Sequence, residues 1–335
     1  MSVNLIKTGE ELREAISFFN GIQAIGVDTE TSGLSAIDDK IVLLQMGTPH
    51  SQYVFDLARL GKSVQLLKPI LEDPKIIKIL HTAKFDYKFL KYNLGIELNN
   101  IFDTYLAEQL LQKGRKLSGF SLEVVAEKYT SAKLDKSVRE TFEGMLYGEN
   151  ISDEQIIYAS LDVKYSQQIM IAQKKLLERD GLKKVTDLEM NAIAVTGDME
   201  LNGMRIDRTK WLAAESAAKK ERDAAMKRLD ELLKPYVETD MFGNLAINYN
   251  SPKQLLTVLR KAVNPNLEST NENVIKDIAH PVIYALLDYR GFEKQISTYG
   301  ESFLSWINPT TNRIHTTFDQ LNTDTGRYSS KDPFN

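Results

Sequence analysis

The sequence contains no cysteine and only four histidines among its 335 residues. The lack of cysteine excludes disulfide bonds, thiolate metal sites and cysteine nucleophiles, and it fits the reducing cytoplasm, where we expect the protein. So few histidines also disfavour a zinc site built from imidazoles. No apolar run approaches the roughly 20 residues needed to cross a bilayer. The N-terminus, MSVNLIKTGEELREAI, lacks the apolar core of a secretory signal, so the sequence predicts no membrane association.

There is also no large excess of one charge, because 42 basic residues and 46 acidic residues give a net charge of −4. The total charge therefore does not indicate a nucleic-acid partner, although a local basic groove can lie on an acidic protein. The hydrophobic content of 42% is that of an ordinary globular protein. Only the motifs can decide the function.

The first part of the chain has the pattern of a sheet covered by helices. Short β-rich runs lie at 23–28, 41–47, 52–56 and 76–80, and helical patterns lie at about 62–72, 84–92 and 103–113. From about 121 to 200 the pattern is nearly all helical, with Ser152 as a helix cap and Gln155 as its capping-box partner. We predict an α/β domain over residues 1–185.

The remaining residues, 186–335, have a mainly helical pattern. A short β segment is expected at 202–207, followed by a helix at 211–234 and a loop at 235–250. Three further helices are expected within 251–263, 269–279 and 280–307, and the Thr-rich tail has β character. The sequence therefore predicts a second, helical region.

Carboxylates recur at three points of the first domain. Asp28 and Glu30 end a β run, and residues two apart on a strand point to the same face. Two like charges there repel each other unless a cation lies between them, and hard ions such as Mg²⁺ prefer oxygen ligands. Taken alone, however, such a pair is more often a pair of solvated turn carboxylates.

The other two points contain an Asp near an aromatic residue. Asp86 follows Phe85 at a helix start, where an acidic residue also simply favours the positive helix end. Tyr158 and Asp162 are four residues apart, so they share one helix face. The structural alternative for that pair is a Tyr at the edge of the core beside a surface Asp.

Together, the order D-x-E, F-D and Y-x-x-x-D resembles the three motifs of the DEDDy 3′→5′ exonucleases. The spacing of about 55 and then about 75 residues is also similar to that of proofreading domains. The resemblance covers residues 1 to about 185 and implies an α/β RNase H-like fold.

The resemblance also implies the roles of the motif residues. Asp28, Glu30 and Asp162 are expected to hold the first of two Mg²⁺ or Mn²⁺ ions, and Asp28 also bridges to the second. Asp86 is expected to act through ordered water at the metal site, and Tyr158 to orient the nucleophilic water. The expected reaction is two-metal-ion hydrolysis of DNA from the 3′ end to 5′-mononucleotides.

Two nearby residues need comment. Relatives often carry Asn four residues before the second-motif Asp, where this chain has Thr82. The shorter Thr is expected to contact the terminal nucleotide more weakly. Asp103 matches another recurrent family position, which we interpret as supporting structure.

The second region is similar to the thumb and early palm of a family A (bacterial polymerase I-like) DNA polymerase. The segments that carry this resemblance are MELNGMRID, YNSPKQLLTVL, STNENVI, YRGFEKQISTYG and RIHTTFDQLNTDTGRYSS. The resemblance implies that Arg327, in TDTGRYSS, contacts primer–template DNA. Lys253, Arg290 and Lys294 are weaker candidates for phosphate contacts, and for each of them a solvated charge is the commoner role.

The resemblance stops at Asn335, before the segments that supply the palm aspartates, so polymerisation is not expected from this chain alone. There are three explanations for this stop: a split gene, for which a phage is one source, a truncated reading frame, or a protein that was cut deliberately. If the split is natural, a second polypeptide is expected to carry the rest of the palm and fingers. Tyr328 and Phe334 are then expected at its interface.

Two other functions are open at this point. One is a non-catalytic subunit that binds primer–template DNA and assists assembly, which the presence of all four carboxylates and Tyr158 argues against. The other is an RNase D-like RNA 3′ processing enzyme, which the TDTGRYSS segment argues against. The leading prediction is a proofreading exonuclease that binds single-stranded DNA 3′ ends.

Overall fold

The computed structural model describes residues 2–115, 117–134, 138–142, 144–145 and 147–333. The chain divides into two compact units, of which the second is Arg205–Ile314. The first unit holds the residues up to Met204 together with those from His315 onward. These units are defined by the packing of the chain. The boundary predicted at residue 185, between the α/β domain and the helical region, stays a prediction. Phe334, expected at an interface, lies outside the described residues.

The strands are β1 Ser2–Ile6, β2 Ala24–Thr31, β3 Ile41–Gly47, β4 Ser51–Asp56, β5 Ile77–Leu80, β6 Ile101–Asp103, β7 Ile307–Asn308, β8 Arg313–Ile314, β9 Thr317–Asp319 and β10 Ser329–Lys331. The helices are α1 Gly9–Phe18, α2 Leu57–Leu60, α3 Lys68–Leu71, α4 Ala83–Leu94, α5 Thr104–Gln112, α6 Leu122–Thr130, α7 Asp153–Lys164, α8 Ser166–Arg179, α9 Lys183–Asn202, α10 Arg208–Leu233, α11 Pro252–Ala262, α12 Glu272–Ile275 and α13 Pro281–Tyr299. Short 3₁₀ helices lie at Gly61–Leu67, Arg139–Phe142 and Glu301–Trp306.

Strands β1 to β6 form one mixed sheet in the order β1-β4-β3-β2-β5-β6. Strand β3 is antiparallel to β2 and β4, whereas β5 is parallel to β2 and β6 is parallel to β5. Helices pack against this sheet, and the predicted α/β fold class is confirmed. The sequence analysis missed β1 and β6 because short edge strands have few residues in which an alternating pattern can appear.

Helix α7 lies over the face of the sheet that carries Gly26 and Gly47, which are partners across β2 and β3. A Cβ atom at Gly26 would lie 2.3 Å from Ser166 Oγ and 2.6 Å from the Val163 carbonyl oxygen. A Cβ atom at Gly47 would lie 3.0 Å from Val163 Cγ2. The two glycines therefore let the end of α7 approach the sheet closely.

The returning segment from His315 onward is attached to the first unit by Glu200 of α9. The Glu200 carboxylate is buried and lies 2.6 Å from Lys84 Nζ and 2.5 Å from Lys88 Nζ. It also accepts the backbone N–H of Phe318 at 2.7 Å. A buried carboxylate needs such partners to offset its lost hydration. Since both lysines lie on α4, the contact joins β9 to that helix.

The second unit is helical, as predicted, with α10 packed along α13 over an apolar core. Ser251 caps α11 by accepting the backbone N–H of Gln254, which confirms the predicted helix start. The Tyr249 hydroxyl donates to Asp230 Oδ1 at 2.5 Å and so ties the loop before α11 to α10.

Some predicted elements were wrong in extent. The helix expected at 62–72 is a 3₁₀ helix followed by the short α3, because Pro69 lacks an N–H and favours the start of a new helix. The helix expected across 280–307 ends at Tyr299, where Gly300 takes an extended backbone. Within 202–207, all of it described, only Met204 forms a β-bridge, so no strand is present there.

Candidate metal centre

Three carboxylates come together at the end of β2. Asp28 and Glu30 lie on that strand and Asp162 lies on α7, and one oxygen of each lies within 4.8 Å of the others. Glu30 is buried, whereas the other two are half-buried. Three such groups so close together repel one another unless protons or a cation offset their charge. An all-oxygen donor set suits a hard divalent cation, so these residues could hold a metal ion.

The local sequence explains how these groups meet. Residues 28 and 30 share one face of β2, and that face is covered by α7. The capping box predicted for Ser152 and Gln155 is present at the start of α7, so the helix begins as expected. Helical spacing then brings Tyr158 and Asp162 to the same side of α7.

Asp86 lines the same pocket, which has a volume of about 330 Å³, from the first turn of α4. Its side chain is buried and accepts the Thr29 hydroxyl at 2.6 Å. Burial raises the pKa of Asp86 to about 7, against the opposing effect of the Thr29 hydrogen bond, and the negative charge of Asp103 adds to the rise. Among the described residues, Asp86 is not part of the close group of three carboxylates. Its expected contact with metal through water stays a prediction.

Tyr158 lies one helical turn before Asp162 and also lines the pocket. Its side chain is buried, and its ring packs 6.2 Å from the ring of Phe142, centroid to centroid. Tyr158 therefore belongs both to the core and to the pocket wall. The packing holds the phenol in place, and its role in orienting water stays a prediction.

Thr82 precedes α4 and lines the pocket with a left-handed backbone, at φ 67° and ψ 44°. Its N–H donates to Asp103 Oδ1 at 3.1 Å, and its hydroxyl donates to the carbonyl oxygen of His81. A β-branched residue in this conformation is strained. Its predicted contact with a nucleotide is not tested by these bonds.

Asp103 links the starts of two helices. One oxygen accepts the N–H of Tyr105 at 2.8 Å at the start of α5, and the other accepts the N–H of Ala83 at 2.8 Å at the start of α4. Burial raises the pKa of Asp103 to about 6, although backbone donors oppose that rise. This arrangement agrees with a supporting role for Asp103.

The pocket also contains residues that sequence reasoning missed, among them His81, Thr29 and Glu123. The Thr104 hydroxyl lies 3.1 Å from the Leu80 carbonyl oxygen and 2.8 Å from His81 Nδ1, so it contacts both residues. The position of Thr29 between Asp28 and Glu30 could have indicated that its hydroxyl contacts a pocket residue, which is Asp86. No sequence signal marked Glu123.

A second cavity, of about 360 Å³, shares Thr82, Phe85 and Tyr105 with the acidic pocket. Its far wall is formed by β9 and β10 and includes Phe318. Lys331 lies on this wall and pairs with Asp319 at 2.6 Å. The returning segment thus borders the candidate metal centre through this cavity.

The four predicted DNA-contacting basic residues lie outside the described lining of the acidic pocket. Arg327 is exposed in the loop between β9 and β10 of the first unit, where its carbonyl oxygen accepts the Thr323 hydroxyl. Lys253 and Lys294 are exposed on helices of the second unit. Arg290 of α13 is half-buried, and its guanidinium donates to the carbonyl oxygen of Thr270 at 2.5 Å. Their contacts with DNA stay predictions.

None of the helices in the described part of the chain combines the length and the apolar character that a membrane span requires.

Two protein-family models match the chain. The first, described as 3′-5′ exonuclease, matches residues 3–178, and the second, DNA polymerase family A, matches residues 215–334. DNA polymerase I of Borreliella burgdorferi is 30% identical over 98% of this chain and 36% of its own length. DNA polymerase I of Chloroflexus aurantiacus is 25% identical over 99% of the chain and 37% of its own length. The chain thus spans little more than a third of these relatives.

Solved structures share the fold. The POL domain of Pol1 from M. smegmatis, in complex with DNA primer-template and dNTP, matches with a TM-score of 0.76 and 23% identity, over 99% of this chain and 55% of that one. Brucella melitensis NrnC with bound Mg²⁺ matches with a TM-score of 0.50 and 22% identity, over 60% of this chain and 94% of that one. The chain therefore belongs to the family A DNA polymerases, with a 3′-5′ exonuclease domain of RNase H-like fold followed by part of the polymerase domain.

Proposed function

We propose that this chain hydrolyses DNA from the 3′ end to 5′-mononucleotides, as the proofreading part of a family A DNA polymerase. The observation that carries the proposal is the meeting of Asp28, Glu30 and Asp162 within 4.8 Å. Asp86 and Tyr158 line the same pocket, so it contains all five side chains of the motif.

In this proposal the close carboxylates, assisted by Asp86, hold two Mg²⁺ or Mn²⁺ ions. The ions supply positive charge that stabilises the attacking and leaving oxygens of a phosphodiester. The Tyr158 hydroxyl hydrogen-bonds the attacking water, and the packing of its ring against Phe142 keeps it in position. The Thr29 hydroxyl orients the Asp86 carboxylate.

The neighbouring cavity fits the single strand that leads to the 3′ end. Phe85, Tyr105 and Phe318 line it, and aromatic rings offer stacking surfaces to unpaired bases of any sequence. For the double-stranded part of the DNA, we propose that Arg327 contacts the primer–template duplex. Lys253, Arg290 and Lys294 are further candidates for phosphate contacts.

The test is digestion of 5′-labelled single-stranded DNA with Mg²⁺ by the wild type and by the double variant Asp28→Ala, Glu30→Ala. The wild type should produce a ladder that shortens from the 3′ end, and the double variant should produce none, because it loses two of the three close carboxylates. Circular dichroism checks that the variant is folded. A matched control, Glu221→Ala with Glu231→Ala, removes the same charge from exposed positions of α10 and should cleave normally. Equal cleavage by the wild type and the Asp28/Glu30 variant would refute the site.

The same assay separates the other candidate functions. A ladder from RNA but not from DNA would favour RNA 3′ processing, and DNA binding without cleavage would favour an assembly subunit. Tyr158→Phe should slow cleavage and keep metal binding, because the ring can still pack. The second polypeptide, the phage origin and the cytoplasmic location stay predictions.

A further inference from the structure

Gln45, on β3, has a buried side-chain amide. It is 0% exposed, and within the described part of the chain neither its amide nitrogen nor its amide oxygen has a hydrogen-bond partner. A buried polar group left unpaired is costly, and an apolar side chain of similar shape would avoid that cost. Unpaired groups of this kind therefore need an explanation, and a functional role is one of the recognised ones.

The register of the sheet puts Gln45 beside the acidic cluster. Gln45 is the direct partner of Asp28 across β3 and β2. Directly opposed residues of antiparallel strands point to the same face, with Cβ atoms about 4.5–5.5 Å apart.

The neighbouring glycines identify that face. Gly26 and Gly47, each two residues away along its strand, face the end of α7 at Val163. Since side chains alternate along a strand, Asp28 and Gln45 face α7 as well. The same helix carries Asp162, the third member of the cluster. The side chain of Gln45 thus lies between the sheet and the helix that carries Asp162.

We propose that Gln45 is a positioning residue for Asp28, an inference that rests on the proposed metal-dependent function. Carboxylates that ligate metals are usually held by hydrogen bonds from residues behind them. When the cluster holds a divalent cation, the Gln45 amide N–H donates to the Asp28 carboxylate and fixes its orientation. The cost of burying the Gln45 amide without a partner is the cost of keeping that donor beside Asp28.

The chain offers a matched control in Gln52. This residue is also 0% exposed, and it lies on β4 as the direct partner of Gly47. Its amide nitrogen, however, already donates to the Thr48 carbonyl oxygen at 2.6 Å. Gln52 is therefore a buried glutamine of the same sheet with a structural hydrogen bond and no direct pairing with Asp28.

The experiment compares Gln45→Met and Gln52→Met with the full wild-type chain. Thermal melting in EDTA measures the stability of the metal-free protein, and calorimetric titration with Mn²⁺ measures metal affinity without any substrate. Gln45→Met should melt in EDTA at the wild-type temperature or above, and its Kd for Mn²⁺ should rise by roughly 10- to 100-fold. Gln52→Met should melt lower and keep the wild-type Kd.

A wild-type Kd for Mn²⁺ in Gln45→Met would overturn the proposal. If that variant also melted at a lower temperature in EDTA, the role of Gln45 would be purely structural. If the Met variant does not fold, Gln45→Leu serves in the same comparison. Absence of Mn²⁺ binding by the wild type itself, with no cleavage, would instead refute the proposed function, and the inference with it. That failure is distinguishable because none of the three proteins would then bind Mn²⁺.

Discussion

Helix α9 crosses α4 at Gly197, and this contact allows a sharp test of the packing behind the candidate site. A Cβ atom at Gly197 would lie 2.6 Å from Tyr87 Cδ1 and 3.0 Å from Cε1. The Tyr87 ring is 0% exposed, and its hydroxyl donates to Asp198 at 3.0 Å and accepts from Lys91 at 3.1 Å. The buried ring is therefore held in place by two hydrogen bonds to its hydroxyl and has little freedom to move away.

The expected effect of Gly197→Ala is the balance of two opposing contributions. Replacing a helical glycine by alanine stabilises by about 0.5–1 kcal/mol, because the backbone of the unfolded chain has fewer conformations to lose. Overpacking a rigid core costs roughly 1–3 kcal/mol. The clash should win, with a net loss of about 1–2 kcal/mol, which lowers the melting temperature of a unit of this size by roughly 2–8 °C.

Gly291→Ala is the control, because Gly291 lies within α13 and a Cβ atom there would meet no atom of the described residues within 4 Å. It should gain about 0.5–1 kcal/mol. Scanning calorimetry measures both variants. In a Tyr87→Leu background, which removes the ring, Gly197→Ala should become neutral or stabilising. Stabilisation by Gly197→Ala in the wild-type background would refute the reasoning, because it would mean that the ring yields at little cost.

Two further predictions concern the pocket itself. Thr82→Asn should stabilise the fold by about 1 kcal/mol, because Asn tolerates the left-handed backbone at φ 67° better than a β-branched residue does. The melting temperature should therefore rise, and a lower one would contradict this prediction. For Asp86, the pKa is raised from its ordinary 3.8 to about 7, so its ionisation weakens the metal-free fold as pH rises through that range. Asp86→Asn cannot ionise and keeps an oxygen that can accept the Thr29 hydroxyl. In denaturant unfolding with EDTA, its stability relative to the wild type should therefore rise from pH 4 to about pH 7, by up to roughly 1.4 kcal/mol per pH unit, and level off above that. A difference independent of pH would mean that Asp86 is not the titrating group.

Much of the site could be predicted because its motifs are local. The pair Asp28 and Glu30 shares a strand face through the two-residue repeat, and Tyr158 and Asp162 share a helix face through the four-residue repeat. The cap at Ser152 also follows from neighbouring residues alone. Each of these features depends on spacings of a few residues, which a sequence displays directly.

The sequence by itself thus determined the α/β class, the helical second region and the identity of the acidic side chains. Only the tertiary structure decided that the three motifs meet in one pocket and that the segment after His315 packs with the first unit. It also decided that Gln45 lies opposite Asp28, that the Thr29 hydroxyl bonds Asp86, and that Asp103 accepts backbone N–H groups at the starts of two helices. These contacts are set by strand register and by how closely the helices approach. These long-range contacts arise from the packing of the whole unit, and no local pattern encodes them.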